Sequence, residues 1–202
     1  MNLQSHPFQS QRMPVIACNG IVATSQPLAA QAGLTMLQRG GNAVDAAIAT
    51  AVALTVLEPT STSIGDDAFA LIWDGTRLHG LNASGRAPAA LQAADLRAQG
   101  YTQMPTDGWL PVTVPGAPAS WGDLHQRFGR LPFDELLAPA IAYAQEGYGV
   151  TSIVAQYWGY AVDRFLSQRD PVFASWAATF APKRRAPQAG ERWASPGHAQ
   201  TL

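Results

Sequence analysis

The chain has 202 residues, of which 47% are hydrophobic and 13% are charged, and its formal net charge is −1. A chain of this length can bury a sizeable core, and its low, balanced charge gives no electrostatic reason to expect nucleic acid or an anionic membrane as a partner. The single cysteine, Cys18, excludes an internal disulfide framework and favours a reducing compartment, so we expect a cytoplasmic protein.

The chain begins with a polar arm and a predicted pair of short strands. Residues 1–12 lack the apolar stretch of a secretory signal and are interpreted as a loose N-terminal arm. No linker divides residues 13–202, which are interpreted as a single incomplete domain. Residues 15–24 are apolar on both sides of a turn signal, which predicts a hairpin. Cys18 falls inside its first strand, where a buried structural cysteine is a better interpretation than a nucleophile.

Two helices are predicted next. Ser25 is expected to cap the first, which begins at Pro27 and runs to about Arg39. The second spans residues 43–57, and Asn42 followed three residues later by an aspartate predicts a capping box at its start. Because this second helix is apolar nearly all round, we expect it to be buried at the centre of the fold.

A second hairpin follows a small-polar loop. Residues 68–73 are a short apolar run, Asp74 and Gly75 form the dipeptide of a type I′ turn, and residues 78–83 form the return strand. A fully apolar strand next to a buried helix implies a sheet covered by helices. The order hairpin, helix, helix, hairpin is the one that half of an α/β sandwich needs.

The rest of the chain is predicted to be mainly helical. The patterns predict helices over residues 91–98, 117–128, 133–146 with an interruption at Pro139, and from a cap at Thr151 to about residue 168. Residues 183–197 are polar and rich in proline and glycine, which predicts a mobile loop.

Several ordered motifs resemble the large-subunit core of the gamma-glutamyltranspeptidase family. They are GGNAVDAA at 40–47, EP followed by a Ser/Thr-rich IG turn at 58–65, the apolar hairpin closed by AP, VPG at 114–116, FGRLPFDELLAPAIAYAQEGY at 128–148, and GERW with QTL near the end. The resemblance implies an α/β (α+β) fold, namely part of the αββα sandwich of N-terminal-nucleophile hydrolases with a helical large-subunit extension. It implies no cofactor and a small-molecule γ-glutamyl or related amide substrate.

The family's nucleophile is a threonine freed by autocatalytic cleavage at a Thr-Thr-His-type segment, which opens the small subunit. No such segment occurs in these residues. We therefore expect the chain to be the N-terminal portion of such an enzyme, with no catalytic residue of its own, inactive alone, and with the missing C-terminal part or small subunit as its partner.

The candidate substrate-binding residues follow the hairpin. The family pattern is Arg-Glu-x-Ala-Pro, in which the arginine binds the α-carboxylate of the γ-glutamyl group, whereas residues 84–88 read Ser-Gly-Arg-Ala-Pro. Ser84 occupies the arginine's place, and Arg86 could reach the same pocket because alternate residues of an extended backbone share a face. The alternative is that Arg86 forms a surface salt bridge.

Two adjacent acids precede the hairpin, and neither predicts a metal site. Asp66 and Asp67 lack the ligand spacing of a calcium loop, so we expect Asp67 to bond local amides and Asp66 to be a tolerated substitution. The histidines show no zinc spacing.

Three functions remain open. The chain could belong to a γ-glutamyltransferase or hydrolase of glutathione-type amides, to a related amide acylase of other specificity, or to a non-catalytic fragment that acts as an interaction module. The missing Arg-Glu pair favours the acylase.

Overall fold

The computed structural model describes residues 13–202, so the predicted arm at 1–12 lies outside the described residues. Within this range the chain forms an α/β arrangement that is rich in helices. The helices are α1 (Pro27–Gln38), α2 (Ala43–Leu57), α3 (Ala93–Ala98), α4 (Ala117–Phe128), α5 (Phe133–Glu146), α6 (Ser152–Leu166), α7 (Ala174–Phe180) and α8 (Pro196–Thr201). The strands are β1 (Ala68–Trp73), β2 (Leu78–Ala83), β3 (Tyr148–Gly149) and β4 (Arg192–Trp193), and a short 3-10 helix spans Pro171–Phe173.

Helix α2 lies at the centre of the core, as its apolar sequence predicts. The predicted capping box is confirmed: the Asn42 side chain accepts from the amides of Val44 and Asp45, and the Asp45 carboxylate accepts from the amide of Asn42 at 2.8 Å. Helices α1 and α5 pack against it. Asp45 is fully buried, and its other oxygen accepts the Arg130 amide at 3.0 Å, which ties the start of α2 to the chain between α4 and α5.

Helix α1 is capped by Gln26 and not by Ser25, so that prediction is wrong. The Gln26 side-chain oxygen accepts from the amides of Leu28 and Ala29. Ser25 turns away, and its hydroxyl donates to a carboxylate oxygen of Glu58 at 2.9 Å. The longer glutamine side chain reaches the free amides of the first turn from the position directly before Pro27, so it takes the role that a serine usually has.

The predicted hairpin at residues 15–24 is also wrong. This segment forms no strand, and most of its apolar side chains are exposed, including Ile16 at 92%, while Val22 is partly buried. Cys18 is exposed rather than buried. Apolar residues around a turn signal form strands only where their backbone groups find a partner, and no such pairing forms here among residues 13–202.

Strands β1 and β2 form the predicted antiparallel hairpin, with Ala68 opposite Ala83 and Trp73 opposite Leu78. The predicted type I′ turn at Asp74 and Gly75 is wrong, because Gly75 has a φ of +99° but Asp74 does not have a positive φ. Instead one Asp74 carboxylate oxygen accepts from the amides of Thr76 and Arg77, each at 2.8 Å. The aspartate side chain thus holds the turn that we assigned to the backbone.

The hairpin is covered on one face only within the described residues. On β1 the half-buried side chains of Ala68, Ala70 and Ile72 alternate with three exposed ones. These are Phe69, Leu71 and Trp73, which are 66%, 77% and 64% exposed. We call these three side chains, with Leu78 of β2, the outer face of the hairpin. Helix α4 contacts both strands. The prediction of a sheet covered by helices therefore holds for the inner face alone.

The later helices lie close to their predicted positions. Helix α3 begins two residues later than expected, α4 has the predicted bounds, and α5 continues through Pro139 without interruption. Helix α6 begins after Thr151, which makes no side-chain cap bond, and ends at Leu166.

Residues 183–197 form a loop over most of their length, as predicted, except for the two residues of β4 and the start of α8. Glu191 accepts hydrogen bonds from Lys183, Arg185 and the Gln188 amide, and β4 pairs with β3. The Glu191 carboxylate thus binds two of the cationic side chains of this segment, Lys183 and Arg185, a contact that the proline and glycine content does not predict. These bonds hold the pKa of Glu191 well below its usual range.

Candidate substrate-binding cleft

A cleft of about 490 Å³ opens where β2 ends, and we call it the hairpin cleft. Its walls come from the loop before β1, the exit of β2, the loop after α3, and the region from α6 to α7. Its lining residues are Gly65, Asp66, Asp67, Ser84, Thr106, Asp107, Gly108, Pro111, Val112, Thr113, Phe165, Phe173 and Trp176. This volume lies within the usual range for small-molecule sites, roughly 300–1,000 Å³.

The structure places Ser84 in the hairpin cleft and places Arg86 outside its lining. The backbone amide of Ser84 donates to the Asn82 side chain at 3.0 Å. Gly85 has a φ of +77°, so the backbone is not extended here and the two flanking side chains do not share a face. The Arg86 carbonyl accepts the Val114 amide at 2.9 Å, while its exposed side chain forms no ion pair within residues 13–202. The substrate-binding roles of Ser84 and Arg86 both stay predictions.

Asp66 and Asp67 have roles opposite to those expected. The Asp66 carboxylate accepts the Ser63 amide at 2.6 Å, and its backbone carbonyl accepts the amides of Gly116 and Ala117 at 3.0 Å and 2.9 Å. These bonds tie the loop before β1 to the start of α4. Asp67 is exposed in the cleft. Within the described part of the chain, no group of three or more His, Cys, Asp or Glu side chains could hold a metal ion.

Three half-buried aromatic side chains form one wall of the cleft, and we call Phe165, Phe173 and Trp176 the aromatic wall. The ring centroids of Phe165 and Trp176 lie 4.7 Å apart, and those of Phe165 and Phe173 lie 5.7 Å apart. Such tilted pairs are favourable aromatic contacts. We did not predict this wall from the sequence, because nothing in the local pattern of residues 165–176 shows that they face Ser84.

Buried groups support the aromatic wall from behind. Trp176 contacts Phe180 with ring centroids 5.8 Å apart, and the Phe180 carbonyl accepts the indole N–H of Trp158 at 2.9 Å. Trp158 is 1% exposed and also contacts Trp193. The wall therefore continues directly into the core, which limits how far its rings can move.

An ion pair beside the aromatic wall joins the loop after α3 to α6. Arg164 donates from one nitrogen to both carboxylate oxygens of Asp107, at 2.7 Å and 2.8 Å. The same guanidinium lies 5.6 Å from the ring centroid of Phe165. Arg164 thus joins the loop after α3 to α6, and it neutralises one of the three aspartates that line the cleft.

A second, open cleft of 720 Å³ lies beside α8 and contains His198. The His198 ring contacts the hydroxyl of Thr55 in α2 at 3.3 Å, and burial lowers the pKa of the imidazole from its usual value. Nearby, the Tyr148 hydroxyl donates to the Val56 carbonyl at 2.9 Å, and burial, with the charge of Glu58, raises the pKa of this tyrosine. This cleft lies near the end of α2, and Ser84 and Arg86 do not line it.

The fold and the motifs place the chain in a known class of enzymes. Residues 29–202 match the family model described as Gamma-glutamyltranspeptidase, and the chain belongs to this family. It is 33% identical over 195 residues to "Glutathione hydrolase proenzyme 1" of Schizosaccharomyces pombe, a match that covers 96% of this chain and 30% of that protein. It is also 37% identical over 154 residues to "Acylase ACY 1 proenzyme" of Pseudomonas sp. strain SE83, with coverage of 71% and 28%. The chain spans about a third of the length of these curated relatives.

Solved structures include both kinds of relative. A cephalosporin acylase from Bacillus halodurans matches with a TM-score of 0.94 and 59% identity over 98% of this chain and 37% of that one. The gamma-glutamyltranspeptidase of Helicobacter pylori matches with a TM-score of 0.82 and 30% identity over 94% of this chain and 54% of that one. The sequence is thus nearer to the acylase structure than to this transpeptidase.

Along the described range, no helix has both the length and the apolar character that a membrane crossing requires.

Proposed function

We propose that these residues form part of an amide acylase of the gamma-glutamyltranspeptidase family, an enzyme whose preferred acyl group is not γ-glutamyl. The observation that carries this proposal is the geometry of Ser84 and Gly85 at the exit of the hairpin. The family's Arg-Glu pair would stand at these two positions.

The backbone at Gly85 does not accept the glutamate of that pair. A Cβ atom added there would lie 2.9 Å from the Thr113 hydroxyl and would overlap the Val114 carbonyl oxygen. The φ of +77° is itself unfavourable for any residue that carries a side chain. The backbone at position 85 therefore favours glycine over the glutamate of the family pattern.

The charges of the hairpin cleft agree with this proposal. Its lining contains three aspartates and no lysine or arginine, although Asp107 is neutralised by Arg164. A γ-glutamyl group carries an α-carboxylate, which a planar arginine binds well through two parallel hydrogen bonds. With Ser84 at this position, the described residues offer no such partner inside the cleft, so specificity for that group loses its main contact.

The reaction that the family implies divides into two steps. A threonine hydroxyl attacks the amide carbonyl carbon while its own α-amine takes the proton, and backbone amides stabilise the oxyanion. The C–N bond then breaks, the proton passes to the departing amine, and an acyl ester remains on the threonine. Water hydrolyses this ester, which releases the carboxylic acid and restores the hydroxyl. In this proposal the threonine lies in sequence outside the 202 residues.

The outer face of the hairpin supports a role as one part of a larger enzyme. Phe69, Leu71 and Trp73 stand side by side in solvent, although such contiguous apolar surface is usually covered by protein. We propose that the second sheet of the αββα sandwich packs against this outer face. A non-catalytic interaction module would use the same surface to bind its partner. We also propose that the enzyme is cytoplasmic.

The test is to read the coding DNA beyond Leu202 and to express the complete open reading frame. Mass spectrometry then detects autocatalytic cleavage, and hydrolysis is measured with γ-glutamyl, glutaryl and butyryl p-nitroanilides, which differ only at the distal end of the acyl group. The proposal expects two subunits and a higher kcat/KM for the uncharged butyryl amide than for either the γ-glutamyl or the glutaryl amide, whose acyl groups end in a carboxylate. A higher kcat/KM for the γ-glutamyl amide would indicate that the complete protein is a glutathione hydrolase. A protein that neither cleaves itself nor hydrolyses any of the amides would be an interaction module.

Ser84→Arg is the matched variant, and Ser84→Ala is its control. An arginine in the cleft is expected to raise the ratio of γ-glutamyl to butyryl hydrolysis by about tenfold, since it supplies a charge-assisted contact to the α-carboxylate. The alanine variant removes the hydroxyl without adding charge and should leave that ratio nearly unchanged.

A further inference from the structure

We propose that the aromatic wall is the acyl-specificity surface of the hairpin cleft and that it selects an uncharged acyl group carrying a planar ring, such as a phenylacetyl amide. This inference rests on the proposed acylase function and names the class of substrate. Within this wall, Trp176 is expected to contribute most to the preference for a ring-bearing acyl group.

The position of the wall supports this assignment. Ser84 stands where the family resemblance places the contact to the distal end of the acyl group, and the rings of Phe165, Phe173 and Trp176 line the same cleft. A substrate group that enters this cleft thus meets a hydroxyl and exposed ring surface. Planar rings pack well against such a surface in offset or edge-to-face arrangements.

The wall is prepared before a ligand binds. Its rings already contact one another, with Phe165 and Trp176 at 4.7 Å, and Phe180 fixes Trp176 to the buried Trp158. The Arg164–Asp107 pair holds the loop after α3. Side chains that are already ordered lose little conformational entropy when a ligand binds, so more of the contact energy contributes to selectivity.

Two competing classes of acyl group, those with a terminal carboxylate and short aliphatic ones, fit the cleft less well. Asp66 and Asp67 line the cleft with no cationic side chain among its described lining residues, so an acyl group with a terminal carboxylate would meet repulsion. A short aliphatic acyl group would leave the ring surfaces partly wet. The uncharged ring-bearing group avoids the repulsion and buries the most apolar area.

The experiment measures two things on the complete enzyme: hydrolysis of phenylacetyl, butyryl and glutaryl p-nitroanilides, and binding of phenylacetamide by tryptophan fluorescence. We expect the phenylacetyl amide to have the highest kcat/KM. Trp176→Leu should lower its ratio to the butyryl amide by about tenfold, mainly through KM, and abolish most of the fluorescence change. Trp176→Phe keeps a ring and should restore most of the preference. Tyr157→Leu, at an exposed position on α6 outside the cleft, is the matched control and should change neither readout.

The outcomes separate this inference from the proposed function. Hydrolysis of amides without a preference for the ring, or with a ring preference that Trp176→Leu leaves intact, overturns the inference and keeps the acylase. Binding of phenylacetamide that depends on Trp176 in a protein that hydrolyses none of the amides supports the cleft assignment and overturns the acylase. Absence of both binding and hydrolysis overturns the inference.

Discussion

Helix α2 and strand β1 have similarly apolar sequences, but their side chains are buried to different extents. Most side chains of α2 are buried, whereas on β1 half-buried side chains alternate with the exposed Phe69, Leu71 and Trp73. The helix is thus largely covered by other residues of the range 13–202, while the outer face of the hairpin is not. Apolar composition therefore predicts which segments must be covered, while the extent of covering depends on which other elements are present.

The largest effect is expected at the start of α2, where Asp45→Ala removes a fully buried carboxylate that accepts two backbone amides. Both the helix cap and the tie to Arg130 are lost, and two partly buried amides are left without partners. We expect the free energy of unfolding to fall by about 3 kcal/mol, measured by urea titration. Asp45→Asn keeps the shape and an acceptor oxygen, so it should lose clearly less. Equal losses for the two variants would mean that the helix start needs both carboxylate oxygens, because asparagine keeps an acceptor for only one of the two amides.

The second largest effect on stability is expected at Gly85, which follows β2, and Gly75 in the hairpin turn is the position to compare it with. Gly85 and Gly75 both have positive φ, +77° and +99°, but only Gly85 is crowded by neighbouring atoms. Gly75→Ala should cost about 1 kcal/mol for its backbone conformation alone. Gly85→Ala adds the clash with Thr113 and Val114, so about 3 kcal/mol is expected. Similar thermal unfolding for the two variants would remove the steric support for the acylase proposal.

The features that sequence reasoning found are those with local causes. The capping box of Asn42 and Asp45 lies within four residues of chain, and the bounds of α4 follow from Pro118 in its first turn and Gly129 after its last. Local chemistry also misled us where two candidates were adjacent, because Gln26 and not Ser25 caps α1. Spacing in the sequence does not reveal which of two neighbouring polar side chains has the reach to bond the free amides.

The features that sequence reasoning missed join distant parts of the chain. Ser84 was identified from its motif, but the wall that faces it comes from Phe165 and Trp176, which lie far along the chain on α6 and α7. The Arg164–Asp107 pair crosses a similar distance. No periodicity within one segment records such contacts, so the cleft required the three-dimensional structure.

The stability of the fold is expected to depend on pH through His198, whose ring contacts Thr55 of α2. Burial lowers the pKa of this imidazole below its ordinary value of 6.5, so the unfolded chain binds the proton more readily than the folded chain does. The contribution to stability is therefore complete above pH 6.5 and is lost as the pH falls toward the lower folded-state pKa. Urea midpoints should fall between about pH 7.5 and pH 5.5, and His198→Gln should show a smaller fall. An identical pH dependence in the variant would contradict a buried neutral imidazole.

The smallest effect on stability is expected on the outer face of the hairpin. Leu71→Thr combined with Trp73→Thr changes side chains that are 77% and 64% exposed, so the free energy of unfolding should change by less than about 0.5 kcal/mol. Ile72→Ala, which removes an inward side chain from the same strand, is the control and should cost about 1 kcal/mol. The double variant of the 202-residue chain should nevertheless bind less hydrophobic dye and associate less in analytical ultracentrifugation, because the apolar surface has been removed. If dye binding and association stay at the level of the unmodified chain, the outer face is not the surface that another sheet covers, and the contrast between the hairpin and α2 would need a different cause.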